Sequence, residues 1–398
     1  MPQNVFDPGL NDFCRKYLVD TGVPITPTDQ ISFPRELQKQ KDFLFEHLLL
    51  FDCVTFKIYG ENVPLVFLLQ AFGQKQFEAL LEQQAFGFVL WTPSIGCLVK
   101  NIPGVEAIVH GNLSSPAHSD PEQSIELGLG WLSKPLTKRE RRHLVKKVLP
   151  LYKLPDPELP GMATGIVKNA LRQGRLSNYG LNNVSPQLDN LSTGDKDKLA
   201  KCATDLLEYK FLISNDMTSF SEYKYFSPFW DTLERFNRSE NVKKGFAKVL
   251  EVEGFPHLPV ISAEMSQPFA QLARLRDKRS ACKMRTWLAE TSEKKIDPDF
   301  VQEYIASIAE RKDVGSTAKG KLTKSILMTT IGAGIGAAAD FFAGAAGLPI
   351  GGLTVPGAAL GASGSLGVDL LDRFVVEKLQ EGWSPRIFID DITKMRKP

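Results

Sequence analysis

The chain has 398 residues, 43% of them hydrophobic and 24% charged, with a formal net charge of +2. That length suffices for two or three domains with a real core, and the balance argues against a mainly disordered chain and names no partner. Five cysteines, Cys14, Cys53, Cys97, Cys202 and Cys282, lie far apart and form no CxxC pair, which argues against a disulfide framework and a thiolate zinc centre.

In chain order, residues 1–35 carry prolines at 2, 8, 24, 27 and 34 and one short helical candidate over Asp12 to Leu18, and read as an extended arm. Apolar spacing predicts a helix over Glu36 to Leu50, and "FDCVTFKIY" after it reads as a strand of β-branched and aromatic residues. "NVPLVFLLQAFGQKQFEALLEQ" reads as one helix, or two broken at Gly73, and "AFGFVLWTPSIGCLVKN" and "VEAIVHG" as further strands. Alternating helix and strand make residues 1–133 an N-terminal mixed α/β domain.

From residue 134 the texture turns helical. "LTKRERRHLVKKVLPLY" opens on a Thr N-cap and has an amphipathic rhythm. Further helices are predicted over Met162 to Arg172, Lys196 to Leu212, Pro228 to Phe236, Gln267 to Glu290 and Pro298 to Lys312, giving a mainly helical domain over 134–318. Two basic clusters stand out here. Lys134 to Lys153 holds eight basic residues against one acid, and Arg274 to Arg285 holds six against one. If both cover one surface they attract phosphate; each alone is more often a solvated helix face. The candidate anion-binding residues are Lys138, Arg139, Arg141, Arg142, Lys146, Lys147, Arg274, Arg276, Lys278 and Arg279.

Residues 319–398 are compositionally distinct. From Ile331 to Gly364, glycine and alanine fill 20 of 34 positions, and Asp340 is the only charged residue between Ser325 and Val368. Glycine costs a helix about 1 kcal/mol relative to alanine, so such helices must recover stability through close packing. Gly332, Gly336, Asp340 and Gly344 recur every four residues, and so do Gly357, Gly361, Ser365 and Asp369 after a Pro/Gly break. The pattern predicts a helical hairpin with a narrow small-residue stripe on each arm, the spacing of a glycine zipper.

Over Ile326 to Leu348, eight strong apolar residues oppose that one aspartate. At about 0.3–0.6 kcal/mol gained for each and about 2.5–3.5 lost for a central Asp, spontaneous membrane insertion is near balance. The layout is similar to the hydrophobic hairpin of bacterial pore-forming toxins in architecture alone, with no shared motif, and implies a toxin- or defence-type effector of bacterial kind.

A catalytic constellation is not legible. His110, His118 and Asp120 share the stretch "HGNLSSPAHSD", but their spacing matches no helical metal motif; "GAGIGA" follows no strand, and the chain has no GxSxG or phosphate-binding glycine loop. No cofactor or metal is expected. The sequence therefore predicts an α+β protein with a mixed α/β N-terminal domain, a helical middle and a Gly/Ala-rich C-terminal hairpin. The first expectation is a non-enzymatic interaction or effector protein whose hairpin packs with a protein partner, with itself or conditionally with an anionic membrane. The second is a nucleic-acid-binding protein using the two basic clusters. With no basic segment and apolar run among the first residues, it is expected to be cytoplasmic, with peripheral or conditional association with the inner membrane.

Overall fold

Continuous apolar runs such as "VTF" and "FVL" suit strands covered on both faces, which in α/β proteins means a parallel sheet between helical layers. The computed structural model describes residues 4–19, 24–100, 102–182, 184–219, 258–265, 267–293 and 385–394. Five parallel strands form its sheet: β1 (Asn4–Asp7), β2 (Cys53–Ile58), β3 (Phe86–Leu90), β6 (Tyr152–Lys153) and β7 (Met217–Ser219), in the order β6-β3-β2-β1-β7. Val5 lies opposite Val54, Val54 opposite Phe86, and Asn4 opposite both Cys53 and Met217. An antiparallel hairpin, β4 (Pro93–Cys97) with β5 (Ile108–Asn112), stands apart from this sheet.

One sheet face, carrying Phe6, Val89 and Trp91, packs on α8 (Leu159–Arg172) and α9 (Thr193–Ser214), with Phe211 6.0 Å from Phe6 and 5.6 Å from Trp91 between ring centroids. The opposite face, carrying Phe56, Phe86 and Phe88, packs on α3 (Val63–Phe72) and α4 (Gln74–Glu82). Outside those lie α2 (Pro27–Leu50), α10 (Leu258–Glu264) and α11 (Pro268–Asp277), which is followed by α12 (Arg279–Glu293). Phe269 of α11 meets Phe72 edge-on at 4.9 Å, a geometry that adds to simple apolar burial. The α3/α4 junction is at Gly73, whose φ of +71° is readily adopted only without a Cβ.

Three expectations change. The extended arm is instead an interior strand: β1 has β2 on one side and β7 on the other, and α1 (Gly9–Tyr17) follows it directly. A four-residue strand in which Val5, Phe6 and Asp7 are all buried leaves no alternation to read, and Pro8 and Pro27 mark helix starts rather than irregular chain. The sheet also runs through the 133/134 boundary, since β6 and β7 pair with β3 and β1. Met1–Lys244 and His257–Glu290 belong to one compact unit. Finally, the helix predicted over Gln267 to Glu290 is two, turning at Lys278 where ψ is 136°.

The second unit, Gly245–Pro256 and Thr291–Met395, contributes the described helix α13 (Pro385–Thr393), in which Phe388, Ile389 and Ile392 are buried. The hairpin positions Gly332, Gly336, Asp340, Gly344, Gly357, Gly361, Ser365 and Asp369, and the helices predicted over 228–236 and 298–312, lie outside the described residues. No helix among the described residues is long and apolar enough to cross a membrane.

Candidate anion-binding site

In a parallel α/β unit the helices run against the strands, so their carboxyl ends gather at the amino-terminal edge of the sheet. Their last carbonyls need donors there. Arg276, at the end of α11, supplies them: Nη1 donates to Phe51 O and Nη2 to Asp52 O, both at 2.9 Å, and Nε donates to Gln83 Oε1 at 3.2 Å. Arg285 of α12 donates to Arg276 O at 3.0 Å, and its Nε lies 3.4 Å from Asp52 Oδ1. The turn at Lys278 lets these two guanidinium groups work side by side. Arg276 is therefore not the surface contact its cluster suggested but a bracket, 2% exposed, closing the C-terminus of α2. Burial, reinforced by Arg285, pushes its guanidinium down to about 10, so it stays charged at neutral pH.

This bracket walls an open cavity of about 620 Å³. Its floor is the amino-terminal half of one sheet face, with Asn4, Cys53 and Thr55, and Lys153 of β6 stands at its side. Gly87 keeps the floor open, because a Cβ there would lie 2.7 Å from Thr55 Oγ1. Lys153 and Arg276 approach Cys53 from different walls. Burial raises the Cys53 thiol, and its hydrogen bond to Thr55 and the two cations pull it partly back. Gln84, at the rim, has φ of +53°, the left-handed cap residue where α4 ends and its Ala85 N donates to Leu80 O at 3.0 Å.

The basic helix α7 (Lys138–Val148) forms as its sequence predicts. Thr137 Oγ1 accepts from Glu140 N at 3.3 Å, and Glu140 Oε2 accepts from Thr137 N at 2.8 Å, a reciprocal cap. Leu144, Val145 and Val148 are buried. Arg141 is held by Glu126 at 3.1 Å, and Lys147 by Glu78 at 3.0 Å and Glu82 at 3.3 Å on α4. Those two cations are committed. Lys138, Arg139, Arg142 and Lys146 are exposed with no carboxylate partner among the described residues, and Lys138, Arg142 and Lys146 form a row at four-residue spacing. Across α4, Gln83 Nε2 donates to Ala273 O at 2.9 Å, fastening α11. Arg274 and Arg279 are exposed and Lys278 is half-buried. The two basic segments thus flank one helix, and both enter one cavity, through Lys153 from the first and Arg276 and Arg285 from the second.

No protein-family model, curated protein or solved structure matches this chain.

The residues weighed for catalysis do not converge. His110 is on β5 beside Gly161. His118, in the short helix α5 (Pro116–Ser119), lies against Gly60 and hydrogen-bonds Ser115 Oγ at 2.6 Å. Asp120 caps α6 (Pro121–Leu129) by accepting from Glu122 N at 2.9 Å. Among the described residues no three His, Cys, Asp or Glu side chains are grouped to hold a metal ion.

Sequence reasoning missed the polar groups at the carboxyl edge of the sheet. Asp7 ends β1, and its Oδ1 accepts from Gly9 N at 2.8 Å and Leu10 N at 3.3 Å, capping α1, while Oδ2 has no partner among the described residues. Burial pushes this carboxyl up to about 6 from 3.8. The folded value exceeds the unfolded one, so the stability carried by the neutral form is complete below about pH 4 and is lost as pH rises through about 6. Asp7→Asn keeps an acceptor for the cap and removes the buried charge. It is expected to stabilise the protein by roughly 2–3 kcal/mol at pH 8 and to have little effect at pH 4, read by urea unfolding at both pH values.

On the other sheet face Lys57 pairs with Glu208 of α9, its Nζ 4.3 Å from the Trp91 ring centroid. Burial alone would lower the Lys57 ammonium; the Glu208 carboxylate and Tyr59 reverse that and hold it above the ordinary lysine value. A lone lysine inside the apolar "CVTFKI" was the available signal.

Proposed function

We propose that this protein binds nucleic acid through its phosphates, using the exposed row of α7 together with Arg274, Lys278 and Arg279 as the contact surface. The observation that supports this reading is the meeting of two basic segments, far apart in sequence, on either side of α4 and in one cavity. Phosphate contacts of this kind position a nucleic acid without reading its sequence. A membrane surface is the less suited partner, because the apolar residues of α7 face its own core and leave no apolar face to enter the headgroup layer.

Fluorescence anisotropy of a labelled oligonucleotide across a salt series tests the reading. Each phosphate contact contributes about 0.9 to the slope of log affinity against log salt on duplex DNA, so four to six contacts give a slope of about −4 to −5. Binding that is absent at low salt, or that does not respond to salt, refutes the proposal.

For the Gly/Ala-rich segment we propose close helix association, with a partner, with itself or conditionally with membrane, on the four-residue spacing of its small residues. Flotation on anionic liposomes and sedimentation of the wild type and Gly336→Leu compare the outcomes. Identical behaviour of the two proteins in both assays removes the stripe from the account.

A further inference from the structure

The cavity at the amino-terminal edge carries chemistry that the surface row does not. Its volume of about 620 Å³ lies within the range of small-molecule sites, about 300–1,000 Å³. The starts of β1, β2 and β7 close its floor, so the cavity has a base against which a small group can seat. The lining charges are Lys153, Arg276 and Arg285 against Asp52 and Asp277, one positive charge in excess, and Arg285 already engages Asp52. Arg276 uses three of its five N–H donors on Phe51, Asp52 and Gln83, which leaves two. The Lys153 ammonium is exposed and has no carboxylate partner among the described residues.

We propose that this cavity binds a terminal phosphate, a phosphomonoester, between Lys153 and the Arg276–Arg285 pair, with the attached nucleoside against the Asn4 and Gln84 amides. A monoester suits the site better than a backbone diester because it carries about 1.5–2 negative charges at neutral pH and three acceptor oxygens. The inference rests on the nucleic-acid reading for one of its two possible ligands, the phosphorylated end of a strand. The other is a free nucleotide.

The test compares two short single-stranded oligonucleotides of one sequence, differing only in a 5′-phosphate or 5′-hydroxyl, by anisotropy, with adenosine monophosphate as competitor. The phosphorylated strand is expected to bind about tenfold more tightly, the effect of one charge-assisted contact. Lys153→Glu is expected to bring the ratio of the two affinities close to one, whatever the charge reversal does to both strands alike. Thr55→Val, inside the cavity but uncharged, is expected to retain the preference and serves as the control for cavity disturbance.

Displacement of the phosphorylated strand by adenosine monophosphate supports the site with a free nucleotide as its ligand; a retained preference without displacement supports it with a strand end. Equal affinity of the two strands, with no adenosine monophosphate binding, overturns the site and leaves the nucleic-acid reading standing. Binding of adenosine monophosphate when neither strand binds does the reverse. A preference that persists undiminished in Lys153→Glu also overturns it.

Discussion

Replacing Glu208 with glutamine is expected to lower the unfolding free energy by about 3–5 kcal/mol, read as a fall in the urea midpoint. The Glu208 carboxylate is the ion-pair partner of Lys57 among the described residues, and both side chains are nearly buried, at 10% and 7% exposure. Without it an ammonium is left among the Trp91 and Tyr59 rings, whose attraction for a cation, about 0.5–2 kcal/mol, does not replace the lost partner. The cost then depends on pH in a defined direction. Burial now dominates and depresses the lysine value, so the penalty is largest at neutral pH and shrinks as the solution becomes alkaline and Lys57 loses its proton. A Lys57→Met/Glu208→Leu double variant, which removes both charges, is expected to recover most of the loss. A cost below about 1 kcal/mol for Glu208→Gln would mean that the pair is effectively solvated.

The second large effect is on binding. Reversing three charges along α7, as Lys138→Glu, Arg142→Glu and Lys146→Glu together, is expected to weaken oligonucleotide affinity by at least about a hundredfold near 0.1 M salt. It is also expected to make the salt slope shallower by about 2–3. All three side chains are exposed and none is paired among the described residues, so the fold should be unaffected; the unfolding free energy from urea titration is expected to stay within about 0.5 kcal/mol of the wild type. The same reversal at Arg141 and Lys147 is not equivalent, because those residues hold α7 to Glu126, Glu78 and Glu82. Loss of binding there would mix surface charge with displacement of the helix.

What was legible in the sequence follows from how local each signal is. The cap of α7 is written in four consecutive residues, "TKRE", and its buried face in Leu144, Val145 and Val148, so both the helix and its charged side were predictable. The strands β2 and β3 were legible because they are long enough to show β-branched and aromatic enrichment. β1 was not: with four residues and burial on both sides, its identity as an interior strand comes from its partners, not from its own pattern. The turn at Lys278 has no proline or glycine to mark it, and its reason is tertiary, since it brings Arg276 and Arg285 to the same group of carbonyls.

Candidate site residues divided along the same line. A basic cluster in sequence does not say which cations are free, and Arg276, Arg141 and Lys147 turned out to serve the fold while Lys138, Arg142 and Lys146 remained available. The burial of Asp7, the Lys57 pair and the cavity floor depend on pairings between distant segments, such as Asp7 with Phe56, Asn4 with Cys53 and Lys57 with Glu208, and no local window contains them.

On the proposed function, the two basic segments act as one phosphate-binding surface. Photocrosslinking a short oligonucleotide that carries 4-thiothymidine, followed by mass spectrometry of the crosslinked peptides, reads that directly. The prediction is that one complex yields crosslinks to peptides from both 134–153 and 274–285, and that both sets vanish together at high salt. Crosslinks confined to one segment, or falling in neither, would contradict it.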